Sequence, residues 1–171
     1  MDRIKGEVIL AIMAVAIAVL EGFIPRPVPF LKPGLANIAT ITGILIYGPW
    51  SGLRINLLRC LGAAIFTGTL VTPTFALSLA GGLASASVMG LFRKVFSVPG
   101  LSVLGSMSGM GAQLAAVSIM FPGLPTRLLL VPVMIWAVAA GAVTGGITAV
   151  LLRRGFPWVR VDGLDSAQPL T

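Results

Sequence analysis

Asn56 and Arg59 stand three residues apart in WSGLRINLLRCLGAAIFTG (Trp50–Gly68), a stretch that is otherwise largely apolar. On a helix that spacing puts the amide and the guanidinium on one face. A helix starting at Trp50 carries Arg59 roughly 13 Å along its axis, near the middle of a hydrocarbon layer about 30 Å thick. A cation at that depth is disfavoured by about 2.5–3.5 kcal/mol, so Arg59 is expected to face a polar interior. Arg54 lies only about 6 Å in and is expected to reach back to the headgroups. Glu21 is the only acid between Glu7 and Asp162. It reads either as a structural ion pair with Arg59, Arg26 or Lys32, or as part of a cavity lining. Gln113, which follows GSMSGMGA, offers an amide beside glycines that admit close backbone approach, and Asn37 and Thr40 are similar. Each of these is by itself an ordinary packing group. Together they describe a polar interior, which would suit a substrate cavity as well as structural pairing.

Catalytic chemistry has little to stand on. The chain has no histidine and one cysteine, Cys60, which reads as a small apolar residue. Its aspartates, Asp2, Asp162 and Asp165, form no cluster able to hold magnesium against a diphosphate. No phosphate-binding loop occurs. Neither a cofactor nor a metal site is expected.

The elements that must position these groups are membrane helices. Of the 171 residues, 57% are hydrophobic and 10% charged, against about 25% charged in soluble domains. Apolar runs recur at the length of a bilayer span. The fold class expected is all-α: a compact bundle of six transmembrane helices near residues 7–24, 34–48, 50–70, 73–92, 100–121 and 128–152. Residues 1–152 form one domain and 153–171 a polar tail. The opening MDRIKGEVILAIMAVAIAVLEGF imitates a signal peptide, but its apolar core is long and no small-x-small site follows it, so it reads as a retained first helix.

The net charge of +7 follows from cations at helix ends rather than from a basic stripe, so no nucleic-acid partner is expected. With the N-terminus inside, Arg3, Lys5, Arg93, Lys94, Arg153, Arg154 and Arg160 fall on the inner side, and Arg26, Lys32 and Arg127 on the outer. The bias predicts cytoplasmic termini. Small residues four apart (Ala137, Gly141, Gly145 and Ala149; Gly105 and Gly109; Gly81 and Ser85) predict close helix seams. The outer segment GFIPRPVPFLKPGLANIAT (Gly22–Thr40) holds four prolines and the cations Arg26 and Lys32. It is either a stiff connector or a flap over the cavity, where its cations would attract an anionic ligand.

KPGLANIATITGIL (Lys32–Leu45), LLRCLGAAIFTGTL (Leu57–Leu70), FALSLAGGLASASVMGL (Phe75–Leu91) and LSVLGSMSGMGAQLAA (Leu101–Ala116) resemble the Gx transporter family, also labelled heptaprenyl diphosphate synthase component I. That family is similar to the S components of energy-coupling-factor importers. The resemblance implies six helices in a bacterial cell membrane, both termini inside, and an outer loop closing over a small ligand. It implies an ATPase and a transmembrane coupling subunit as partners, with Ala14 and Ala18 as an outward docking face on the first helix. The family's other label implies instead a soluble prenyl diphosphate synthase as the partner, with this chain non-catalytic. Gly111 and Ala112 precede Gln113 here, where such relatives often carry His-Asn.

Overall fold

The structure, a computed structural model, describes residues 3–23 and 34–154. Six helices account for most of them: α1 (Arg3–Gly22), α2 (Asn37–Tyr47), α3 (Pro49–Thr67), α4 (Pro73–Phe92), α5 (Val98–Met120) and α6 (Thr126–Arg153). No strand occurs among the described residues. The all-α bundle expected from the sequence is what is found. Arg26, Lys32 and the tail beyond Arg154 lie outside the described residues.

Local chemistry sets the boundaries. α1 begins four residues earlier than its apolar pattern, because Arg3 reaches Glu7 one turn on at 3.0 Å and supports the extra turn. α3 and α4 each open on a proline, whose missing N–H would have no helical partner there. Only Gly48 separates α2 from α3. Its φ of 100° is open to glycine and strained for other residues. The break read in YGPW is therefore a sharp reversal within a single residue.

α4, α5 and α6 are long and apolar enough to cross a membrane, and on that basis this is a membrane protein. α1 and α3 each carry more than one ionic group, and α2 has only 11 residues, about 17 Å of helix. The burial of α2 explains its length. Six consecutive residues, Ala39 to Ile44, are buried, so every side of the helix meets protein. It touches all five other helices. A helix enclosed in this way has no lipid thickness to match.

Close seams hold the outer helices around it. A Cβ placed on Gly141 would fall 2.7 Å from Val103 Cα, and one on Gly145 would fall 2.7 Å from Pro99 Cα. The backbones of α5 and α6 thus meet directly, and Ser102 and Thr144 share a 2.9 Å hydrogen bond across the seam. Gly105 and Gly109 face α4 in the same way, against Met89, Ser85 and the Gly81 carbonyl. These stripes are intramolecular, and dispersion between close backbones is what holds such helices together where lipid supplies no hydrophobic drive.

Candidate functional site: a polar cavity between the helices

Arg59 occupies the junction of two hollows. The inner one, about 50 Å³, is lined by Glu21, Asn37, Arg59 and Gln113, with Ser78, Ser85 and Ser106. The outer one, about 160 Å³, runs from Arg59 and Ser78 past Cys60 and Ala64 to Thr67, Thr69 and Thr74. Both lie toward the end of the bundle where α1 finishes and α2 starts. Four of the polar residues singled out in the sequence therefore converge on one cavity although they come from four helices.

Glycines make the room. A Cβ on Gly82 would fall 2.5 Å from Asn56 Nδ2, and one on Gly81 would fall 2.4 Å from Gln113 Nε2. The adjacent pair on α4 thus admits an amide from α3 and another from α5. Gly105 and Gly109 complete the wall.

Asn56 is fully buried. Its Oδ1 accepts from Arg59 Nη2 at 2.6 Å and from Nε at 3.2 Å. Arg59 Nη2 also lies 3.7 Å from Cys60 Sγ, which in turn meets the Ser78 carbonyl at 3.5 Å. The guanidinium is therefore aimed across the α3–α4 boundary. Glu21 is buried as well, and its Oε1 accepts from the Leu35 N–H at 2.5 Å. That N–H belongs to the turn entering α2, whose N-terminus has no side-chain cap of its own. A carboxylate there is favoured by the helix dipole.

Three buried polar atoms have no hydrogen-bond partner among the described residues: Asn56 Nδ2, Ser85 Oγ and Thr40 Oγ1. Most buried polar side-chain atoms are satisfied, and leaving one bare costs about 1–3 kcal/mol. Ser85 lines the inner cavity, and Asn56 packs against its glycine wall. Thr40 does not line it, and sits on the enclosed face of α2. The sequence reading did not pick out the serines as cavity lining, because a hydroxyl in an apolar run is unremarkable: it can bond its own helix carbonyls.

Ala14 and Ala18 do not form an outward face. Ala14 is fully buried in a cluster with Leu10, Ala39 and Ile55, and Ala18 lines the outer hollow. Spacing alone puts the two on one stripe, and packing against α2 and α3 turns that stripe inward. The exposed side of α1 carries Val8, Ile12, Ala16 and Leu20 instead.

The geometry can hold a few waters, or a small charged or hydrogen-bonding group, between a carboxylate and a guanidinium. At about 50 Å³ the inner hollow falls well short of the 300–1,000 Å³ typical of organic-ligand pockets. Among the described residues no three His, Cys, Asp or Glu side chains come together as a metal site. The fold and cavity define an all-helical membrane protein with a buried polar centre. The family model described as heptaprenyl diphosphate synthase component I matches residues 10–151, and the chain belongs to that family. No curated protein and no solved structure matches it.

Proposed function

We propose that the protein is the non-catalytic membrane component of a heptaprenyl, or related polyprenyl, diphosphate synthase system. The observation that carries this reading is the family match, which takes in five of the six helices nearly whole and most of α1. The chemistry of the chain is in keeping with it. Magnesium-dependent prenyl transfer needs clustered aspartates, and the three here stand at residues 2, 162 and 165. The condensation step therefore falls to a soluble, Asp-rich partner, and this chain would hold that partner at the membrane. Affinity purification of the full chain from gently solubilised membranes tests the reading. A prenyl diphosphate synthase should be retained, and polyprenyl diphosphate output of the membranes should fall when the chain is removed. Output unchanged by removal would refute it.

A second reading is favoured by the polar cavity. A ligand-capturing subunit like an importer's S component would place Glu21, Asn37, Asn56, Arg59 and Gln113 around a small anionic or vitamin-like ligand. Thr40 would support from α2, and Arg26 and Lys32 would lie on the covering segment. Cytoplasmic termini put that segment outside the cell, as capture requires. An ATPase and a transmembrane coupling protein would then co-purify in place of the synthase, and native mass spectrometry would find a retained small molecule.

A further inference from the structure

The other end of the bundle carries a hollow that neither reading uses. It is a crevice of about 460 Å³ between the start of α3 and the end of α4. Pro49, Trp50 and Leu53 form one wall, Gly90 and Leu91 the other, and Arg93 and Lys94 stand at its rim. The helices come close at its base, where a Cβ on Gly90 would fall 2.8 Å from Pro49 Cβ. Toward the outside of the bundle they open, leaving Trp50 71% and Leu91 75% exposed.

Both cations at the rim are uncommitted. Glu7, the acid at this end of the bundle, is taken by Arg3 and Arg54. Neither Arg93 nor Lys94 has a carboxylate partner among those residues, and Arg93 is half-buried, its Nη1 lying over the α2–α3 reversal at Gly48. Cations at the C-terminal end of α4 also complement its dipole. The dipole does not account for an apolar-walled hollow beneath them, nor for the tryptophan at its mouth. An indole at that level marks the membrane–water interface. Uncommitted cations above an apolar, lipid-facing slot complement a molecule with an anionic head and a hydrocarbon tail.

We propose that this crevice binds the phosphate headgroup of an anionic phospholipid. Arg93 and Lys94 hold the phosphate, and one acyl chain lies along Trp50, Leu53 and Leu91. The test is native mass spectrometry of the solubilised full chain titrated with phosphatidylglycerol, or with phosphatidylcholine of the same chains. The wild type should retain one phosphatidylglycerol in preference to phosphatidylcholine. R93Q/K94Q should weaken that retention on the order of tenfold. R153Q/R154Q, which removes two cations outside the crevice, should leave it unchanged. S87W, from an exposed position on the crevice lining, fills the slot with both cations kept, and should weaken retention as well. Melting temperatures near wild type establish that the variants are folded. Equal retention by R93Q/K94Q and wild type would overturn the site. So would retention lost on R93Q/K94Q but untouched by S87W, which marks surface charge alone. Displacement of the lipid by millimolar inorganic phosphate would reassign the crevice to free phosphate and overturn the lipid assignment.

Discussion

α1 carries a glutamate near each end, and the two sit in different surroundings. Glu7 is saturated. It accepts from Arg3 at 3.0 Å, from Ser51 Oγ at 2.5 Å and from Arg54 at 3.4 Å. Arg3 goes on to the Tyr47 carbonyl at 2.8 Å, so one carboxylate ties α1 to the end of α2 and the start of α3. Glu21, about 21 Å further along the helix, faces a cavity together with Arg59. There Asn56 Nδ2 and Ser85 Oγ have no partner among the described residues. The first arrangement uses up its hydrogen-bonding capacity and so fixes three helices. The second leaves the Asn56 amide and the Ser85 hydroxyl unpartnered among the described residues, at a cost to stability.

Breaking the saturated end should cost the most stability. Glu7→Gln removes the charge that three donors share. Both arginines are more than half exposed, so solvent screens their part, while Ser51 is fully buried. The expected loss is about 1–2 kcal/mol, read as a lower melting temperature in detergent. A melting temperature that does not move would reduce the clamp to solvated pairs and remove the contrast. Gly82→Ala comes next. Its methyl would drive Asn56 away from Arg59, a loss of about 1–3 kcal/mol from overpacking, partly offset by about 1 kcal/mol of helix propensity. Gly146→Ala, where nothing lies within 4 Å, isolates that propensity and should be neutral or stabilising.

Much of this architecture was legible in the sequence, for definite reasons. Proline and glycine at 48, 49 and 73 stop and start helices by geometry, so those ends are marked. Glu21, Asn37, Arg59 and Gln113 stood out because a charge or amide in an apolar run is expensive unless it has company, and the four do share a cavity. The inward turn of Ala14 was not legible, since a stripe of small residues reads the same on either side of a helix. Thr40 was picked out for its polarity, but packing against neighbouring helices placed it away from the cavity lining. The Glu7 cluster was hidden for another reason: Arg3, Tyr47, Ser51 and Arg54 meet only when three helices are assembled.

The comparison sharpens further by emptying the polar centre without opening a gap. Asn56→Leu with Arg59→Met replaces both partners of one hydrogen-bonded pair by apolar groups of similar length. Such exchanges are often neutral, whereas removing one partner strands the other. The double variant is expected within about 1 kcal/mol of wild type, and Arg59→Met alone should be the less stable of the two. Thermal melting in detergent checks the order. If the cavity is the working part, the double variant should fold normally yet lose whatever the native protein retains through it, whether partner or small molecule.

The smallest expected shift separates a cavity that is dry from one that is filled. Ser85 Oγ and Thr40 Oγ1 are both buried and both unpartnered among the described residues, but only Ser85 lines the hollow. Thr40→Val removes a stranded hydroxyl with its shape kept, and should stabilise by about 0.5–1 kcal/mol. Ser85→Ala should do the same if nothing occupies the cavity. If a water or ligand group completes the Ser85 hydrogen bond, the sign reverses, because the substitution then breaks a bond rather than relieving a bare hydroxyl. A cavity of about 50 Å³ with several polar walls is roomy enough for such a guest. Opposite signs for the two substitutions, read as melting shifts on the same preparation, would place a bound guest beside Ser85 and nothing beside Thr40. Matching stabilisation would mean that the hollow is empty in the resting protein.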